Sequence, residues 1–333
     1  MTPPPTGPSA PLVAVTDMAV ADDSMERDLA ASEGASYRHW DGIGELAEVV
    51  SGANVVFTAL APLGPDLLSQ LAEGAVVIRY GVGVDNVDLT AAAAAGVRVC
   101  NVPDYGANVV ADHAAMLALM LVRRVREFDT ALHSGISPAP RAFGAIPSME
   151  GRTVGLVGAG RIAQLTAHRL QAFGCRTIAY DPYAKPGPLA EQHVELVEWR
   201  QFLASANIVS LHLPLTEDTR HLFNDSAFAG LQEGSFLINT ARGGLVDQDA
   251  LGRALDSGQL AGAALDVTDP EPLPVDDPLR SQPSVILTPH MAFYSTESMA
   301  RLQSLAVEEG RRALRGQALR CPVPLPEKDT EVG

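Results

Sequence analysis

One segment constrains this chain more than any other. Thr153-Val154-Gly155-Leu156-Val157 is a brief apolar run that leads directly into Gly158-Ala159-Gly160-Arg161-Ile162-Ala163, where a helical pattern begins. Gly158 permits a tight turn, Gly160 lets the backbone approach a ligand, and the amides of Arg161 and Ile162 open a helix at its positive dipole end. Together they make a seat for a pyrophosphate. The third position holds Ala163, a methyl-sized variant where helix packs on strand. Such a turn alone is a weak signal, but the next strand-like run ends at Asp181, 21 residues after Gly160. An acid at about 20 residues is where the ribose hydroxyls of a dinucleotide are held. A carboxylate there repels a 2′-phosphate, so NAD(H) rather than NADP(H) is the expected cofactor.

Around this turn the chain alternates. Apolar runs at 12–15, 54–58, 75–78 and 97–100 read as buried strands, with helix-like segments at 65–73 and 89–95. A longer apolar helix is expected over about 108–126, followed by a Pro- and Gly-rich connector at 134–147. A second alternation has strand candidates at 153–157, 177–180, 208–211, 235–238, 261–265 and 285–287, and a last helix at about 296–315. Strands separated by helices form parallel sheets covered on both faces. The expected fold class is α/β, with two doubly wound parallel-sheet (Rossmann-like) domains and an active-site cleft between them. The length of 333 residues suits two such domains.

Composition narrows the partners. Lys and Arg total 24 against 40 Asp and Glu, a net charge of −16 that argues against nucleic acid and anionic membrane surfaces. Only two of the basic residues are lysines, Lys185 and Lys328, so arginine, the better fork for a carboxylate, carries the positive charge. Cys100, Cys175 and Cys321 supply neither a disulfide framework nor a zinc spacing, and no metal is expected. Residues 1–11 form a Pro-rich tail, expected to be disordered, without the pattern of a signal peptide. The longest apolar stretch, about 114–122, is too short to span a bilayer. These features point to a cytoplasmic protein.

Ligands of open α/β sheets bind beyond the carboxyl ends of strands. Four such ends carry polar groups: Arg79-Tyr80-Gly81-Val82-Gly83, Asn239-Thr240-Ala241-Arg242, Asp266, and Thr288-Pro289-His290. An Arg, an Asp and a His at equivalent edges make a site-like arrangement. On these motifs the chain resembles the D-isomer-specific 2-hydroxyacid dehydrogenases, from about Val13 to Gly316. The matching stretches are 81–88, 158–163, 211–219, 239–247, 265–267 with 271–273, and 288–290, in the family's order.

The resemblance implies an NAD-dependent D-2-hydroxyacid dehydrogenase, an oxidoreductase interconverting a 2-oxo acid and a (D)-2-hydroxy acid by hydride transfer. The family's catalytic trio falls on Arg242, Glu271 and His290. His290 is the expected acid/base, a neighbouring Glu271 carboxylate would favour the imidazolium and raise its pKa, and Arg242 would bind and polarise the substrate. On the cofactor side the resemblance adds Asp266, Thr219, Thr240, Ala241, Val110, and His212 with Pro214 through the groove they line. On the substrate side it adds Arg79, Tyr80, Gly81, the amides of Val82 and Gly83, and Phe293. His113, His133 and His168 have no motif partner and read as structural or surface residues. The implied domains are a flavodoxin-like substrate domain (12–105 plus 296–320) and an NAD-binding Rossmann domain (106–295). A dimerisation arm at about 108–150, a tail at 321–333 and a homodimer complete the expectation. The partner is a small anionic substrate.

Within the family, Arg79-Tyr80-Gly81, Cys100-Asn101-Val102-Pro103, Asp181-Pro182-Tyr183 and 290–295 look like the branch with the C-terminal-binding-protein corepressors. Leu213-Pro214-Leu215-Thr216 looks like phosphoglycerate dehydrogenase and the glyoxylate or hydroxypyruvate reductases. The connector lacks the Trp often found there, and Phe293 stands where the corepressors carry Trp. The alternatives are therefore a non-catalytic NAD(H)-sensing scaffold, or a related dehydrogenase acting on phosphite or on a phosphonate or aldehyde.

Overall fold

The structure, a computed structural model, describes residues 10–20 and 22–326. All but the last two residues of the expected tail at 1–11, and the stretch from 327 onward with Lys328, lie outside the described residues. The chain divides into two compact units, one running to Gly106 and resuming at Ser295, the other comprising Ala107–Tyr294.

In the first unit, strands β1 (Leu12–Val15), β2 (Ser36–His39), β3 (Val55–Thr58), β4 (Val76–Arg79) and β5 (Arg98–Cys100) alternate with helices α1 (Ser24–Ser32), α2 (Leu46–Val50), α3 (Pro65–Leu68) and α4 (Leu89–Ala95). The sheet is parallel with order β2-β1-β3-β4-β5. The inner strands β1 and β3 are buried throughout because helices cover both faces. Helix α4 matches its expected bounds for a local reason: Asp88 accepts a hydrogen bond from the Ala91 amide at 2.8 Å, and Gly96 ends the helix at φ 70°.

The second unit contains α5 (Ala107–Val122), α6 (Val125–His133), β6 (Thr153–Val157), α7 (Arg161–Gln171), β7 (Arg176–Tyr180), α8 (Pro186–Ala190), β8 (Val194–Leu196) and α9 (Trp199–Ser205). It continues through β9 (Ile208–Leu211), α10 (Asp225–Gly230), β10 (Ser235–Asn239), α11 (Gln248–Asp256), β11 (Leu260–Leu265) and β12 (Val285–Leu287). Its parallel sheet has order β12-β11-β10-β9-β6-β7-β8, which runs away from β6 in both directions. The glycine turn at the end of β6 therefore lies at the topological switch point, where such sheets bind ligands. Helix α12 (Thr296–Leu314) returns the chain to the first unit. It is opened by a reciprocal cap in which Ser295 and Ser298 each accept from the other's amide, at 3.0 and 2.8 Å.

Several expectations are corrected. The helix expected at 65–73 is only α3, because the chain turns back so that the Ala72 amide can reach Ala53 O at 3.0 Å. The single helix expected at 108–126 breaks after Val122: Arg124 adopts φ 51° and pairs with Glu127 at 2.6 Å, starting α6. Strands β2 and β8 lack any apolar run, since each is a short edge strand half in solvent. The expected tail beginning at 321 is tied to the sheet, where Val323 N donates to Val99 O at 2.8 Å and Val323 and Leu325 pack on the core. The open edge of β5 supplies the unpaired backbone groups that capture it.

Gly310, inside α12, shows packing overriding propensity. A Cβ there would lie 2.6 Å from Phe57 Cζ and 2.8 Å from Leu29 Cδ2, both in the buried core. Alanine gains about 1 kcal/mol of helix propensity over glycine, whereas overpacking a core costs about 1–3 kcal/mol. Gly310→Ala is expected to destabilise the protein by about 1 kcal/mol in urea denaturation, against the usual direction for a helix interior.

Candidate active site

The glycine turn is built as its sequence implies. Gly158 adopts φ 91°, and a Cβ there would sit 2.7 Å from His212 O, so a side chain fits neither the backbone angle nor the space. A Cβ on Gly160 would meet nothing within 4 Å, which leaves open space at the first turn of the 11-residue α7. Arg161 is exposed, Ile162 half-buried, and Ala163 fully buried on the strand side. Asp181 stands beside the turn, its Oδ2 accepting from the Ala159 amide and its Oδ1 from the Tyr183 amide, each at 2.9 Å. Further along the sheet edge, Thr240 Oγ1 is buried without a hydrogen-bond partner among the described residues. An open cradle at a helix N-terminus, a carboxylate beside it and an orphaned hydroxyl fit a dinucleotide. Val110 lies half-buried in the first turn of α5.

Two neighbouring residues also have structural partners of their own. Thr219, expected on the cofactor, closes its own loop: its hydroxyl donates to Pro214 O at 2.8 Å and accepts from Thr216 N at 2.7 Å. His212 supports Gly158 with its backbone, while its ring Nε2 lies 2.9 Å from Ser210 Oγ. Burial pushes this imidazole down to about 3, so it stays neutral.

The structure brings His290 and Glu271 together. His290 Nδ1 lies 2.6 Å from Glu271 Oε1, with both side chains partly open to solvent and the Phe293 ring edge-on at 5.9 Å. Glu271 occupies Nδ1, which leaves Nε2 as the ring nitrogen available to another partner. His290 holds a left-handed φ of 50°, an uncommon conformation for a residue with a side chain. Its amide donates to Asp266 O at 2.8 Å.

Asp266 itself requires a correction. Expected to face the cofactor, its side chain is inaccessible to solvent. Oδ1 accepts from Thr288 Oγ1 at 2.5 Å and from Met291 N at 2.9 Å, and Oδ2 accepts from Ala292 N at 2.9 Å. A buried carboxylate must be satisfied this way, and here it fastens both sides of the His290 turn.

Arg242 follows β10, with its Nη1 donating to Ala241 O at 2.7 Å. Two supports of this turn have no role in the motif reading. Asn239, fully buried, accepts from Ala241 N at 3.0 Å and donates to Arg242 O at 2.8 Å. A Cβ on Gly243 would fall 2.0 Å from Thr268 O, so this glycine lets the Arg242 turn lie against the segment leading to Glu271. The signal for Asn239 is a polar residue closing an apolar strand; nothing local marks the contact of Gly243.

In the first unit, Arg79 ends β4, and a Cβ on Gly81 (φ 138°) would fall 1.7 Å from Arg79 Nη1. Gly81 thus allows the guanidinium to fold over the Gly81–Gly83 loop. That loop is braced by Asn101, whose Nδ2 donates to Val82 O at 2.6 Å, and Val82 is exposed. Tyr80, expected at the substrate, is corrected. Its side chain is buried, stacks on Phe57 at 5.6 Å, and donates to Glu26 Oε1 at 2.6 Å. Successive residues of an extended chain face opposite sides, so Tyr80 turns inward next to Arg79. Burial with the nearby Glu26 raises the Tyr80 phenol well above its ordinary value.

Among the described residues no cluster of His, Cys, Asp and Glu could hold a metal, and no helix is long and apolar enough to cross a membrane. A parallel sheet with a glycine turn at its switch point, and a His–Glu pair beyond neighbouring strands, define a dinucleotide-binding domain of the Rossmann class. Residues 115–292 match the family model of the D-isomer specific 2-hydroxyacid dehydrogenase, NAD binding domain, and the chain belongs to this family. It is 38% identical over 272 residues to D-3-phosphoglycerate dehydrogenase of Mycobacterium leprae, covering 82% of this chain and 51% of the relative. The chain thus spans about half the length of the curated relatives it matches. Among solved structures it is similar to the TT0316 protein from Thermus thermophilus (33% identity, TM-score 0.84, 94% of this chain and 100% of the other). It is also similar to a glyoxylate reductase from Paecilomyes thermophila (26% identity, TM-score 0.86, 95% and 99% coverage).

The neutral His212 gives a pH dependence with a definite sign. An unfolded histidine takes its proton near pH 6.5, the folded one only near 3, so in that window the unfolded state binds the extra proton. Stability therefore falls as pH drops from about 6.5 toward 3, with a slope of up to about 1.4 kcal/mol per pH unit from this one group. Urea denaturation of His212→Gln across pH 7 to 5 is expected to show a shallower fall than wild type. A residual slope is expected from His113, which burial shifts in the same direction.

Proposed function

We propose that the chain is an NAD(H)-dependent oxidoreductase interconverting a small 2-oxo acid and a (D)-2-hydroxy acid. The observation that carries this reading is the His290–Glu271 pair at 2.6 Å, with Nδ1 engaged and Nε2 turned outward. Bound NAD(H) supplies the hydride, or accepts it in the reverse direction. His290 Nε2 delivers the proton that the carbonyl oxygen needs in reduction and takes it back in oxidation. Glu271 orients the ring and neutralises the imidazolium. Arg242 binds the substrate carboxylate and polarises the carbonyl. Asp181 holds the adenosine ribose, and Gly158, Gly160, Arg161, Ile162, Thr240 and Ala241 line the cofactor seat, with Val110 and the backbone of His212 and Pro214 beside it. Arg79 and the loop amides from Gly81 to Gly83 bind the anionic end of the substrate, and Phe293 bounds the pocket.

A cytoplasmic homodimer belongs to the same reading. The exposed Leu132 and Ile136 of the arm region support a second copy as partner, and three free cysteines support a reducing compartment. The net charge of −16 supports a small molecule rather than nucleic acid as ligand.

Purified protein is expected to oxidise NADH with at least one of glyoxylate, hydroxypyruvate and other 2-oxo acids, and not to reduce NAD+ with formate or phosphite. His290→Ala and Arg242→Ala should each lower kcat/KM by about 10²-fold or more while NADH still binds. Tight NADH binding with no turnover on any of these compounds would replace the enzyme by a cofactor-sensing scaffold. Arg79→Ala should raise KM more than it lowers kcat, by the equivalent of about 1.5–3 kcal/mol for a charge-assisted contact. An unchanged KM across acidic substrates would remove Arg79 from the site.

A further inference from the structure

His113 lies on α5, belongs to none of the motifs, and is nevertheless connected to the His290 turn. Its Nε2 is 3.1 Å from Thr288 Oγ1 and 3.6 Å from Asp266 Oδ1, so Thr288 is its hydrogen-bond partner. The Thr288 hydroxyl has one proton, and Asp266 Oδ1, 2.5 Å away, is a carboxylate oxygen that only accepts. The hydroxyl proton therefore points to Asp266, and Thr288 Oγ1 must accept from His113. That fixes the tautomer: Nε2 of His113 carries the hydrogen. From Asp266 the chain continues to the amides of Met291 and Ala292 through its carboxylate, and to the His290 amide through its carbonyl oxygen.

We propose that His113 is a positioning residue, the Nε2–H donor of a hydrogen-bond chain that runs through Thr288 into Asp266, where the amides of His290, Met291 and Ala292 also converge, and that this network holds His290 in place for proton transfer. The consequence for catalysis rests on the oxidoreductase reading above; the chain itself rests on the geometry. His113 is almost closed to solvent, and burial lowers its pKa against the opposing pull of Asp266. What the chain requires is a hydrogen on Nε2, and the lowered pKa favours a neutral ring that carries its one N–H there. Without that donor the Thr288 hydroxyl has no fixed partner on its accepting side. Asp266 then loses the oriented proton that complements its two backbone amides, and the left-handed turn at His290 is less firmly held.

The test has a structural and a kinetic arm. Histidine-selective ¹⁵N NMR of the full-length protein at pH 7 is expected to show His113 neutral and protonated at Nε2; an Nδ1–H tautomer overturns the proposal. In His113→Leu and in Thr288→Val the amide resonances of Met291 and Ala292 are expected to move, and His113→Gln, which keeps a donor, to bring them back toward wild type. With a reduced 2-oxo acid in hand, His113→Leu should lower kcat on the order of tenfold or more, because small misplacement of an acid/base group is costly. NADH affinity and urea midpoint should change little by comparison, and His113→Gln should recover most of the rate. The double variant should be no slower than the worse single one, as expected for members of one network. An unchanged kcat and unmoved amides in a folded His113→Leu overturn the proposal. A wild type that reduces none of the 2-oxo acids overturns the functional reading alone, and the tautomer and amide shifts still decide the chain.

Discussion

The carboxylate of Asp266, closed to solvent at the end of β11, is satisfied by one hydroxyl and two backbone amides. Leaving a buried hydrogen-bonding group unsatisfied costs about 1–3 kcal/mol, and more when it is charged, so a group in this position dictates the conformation of whatever supplies its donors. Here the donors come from both sides of His290. The turn can hold a left-handed φ at a residue with a side chain because Asp266 fixes the amides that follow it and its own carbonyl accepts the His290 amide. The imidazole then meets Glu271 at 2.6 Å. The His290–Glu271 pair is thus partly a product of a buried residue that touches neither of their side chains.

Close approach of backbone organises the remaining parts. Gly158 rests on the His212 carbonyl, Gly243 on the Thr268 carbonyl, and Gly81 lies under the Arg79 guanidinium. At each a single methyl group would collide with main chain or with a functional side chain. The first packs the cofactor turn against the neighbouring strand, the second brings the Arg242 turn against the segment that carries Glu271, and the third gives the arginine its place. The acidic bulk of the chain, −16 overall, is offset locally at strand ends by arginines rather than lysines.

Most strands and the last helix were legible because apolar runs between turn residues are local signals. The 89–95 helix was legible to the residue because Asp88 and Gly96 punctuate it. The edges β2 and β8 were not, since an edge strand of three or four residues need not be apolar. The break at Arg124 was hidden for a different reason: an αL arginine stabilised by Glu127 has no compositional mark. In the site, His290 and Glu271 were legible through their motifs, and the structure joins them. Tyr80 and Asp266 lie in the same motifs, yet their side chains are turned into the protein, because a motif records which residues recur together and not which way each side chain points.

The sequence by itself determined the two α/β alternations, the glycine turn with its acid at Asp181, and the identity of the residues at the strand ends. These follow from period, spacing and residue type, which act over a few neighbours along the chain. The tertiary structure alone decided that Tyr80 turns into the core toward Glu26, that Asp266 is sealed among backbone amides, and that His113 meets Thr288 across 175 residues of sequence. Each of these depends on which donor reaches which acceptor once the sheet is assembled. Hydrogen bonds have a reach of about 3 Å, so that outcome is fixed by packing and leaves no trace in local pattern.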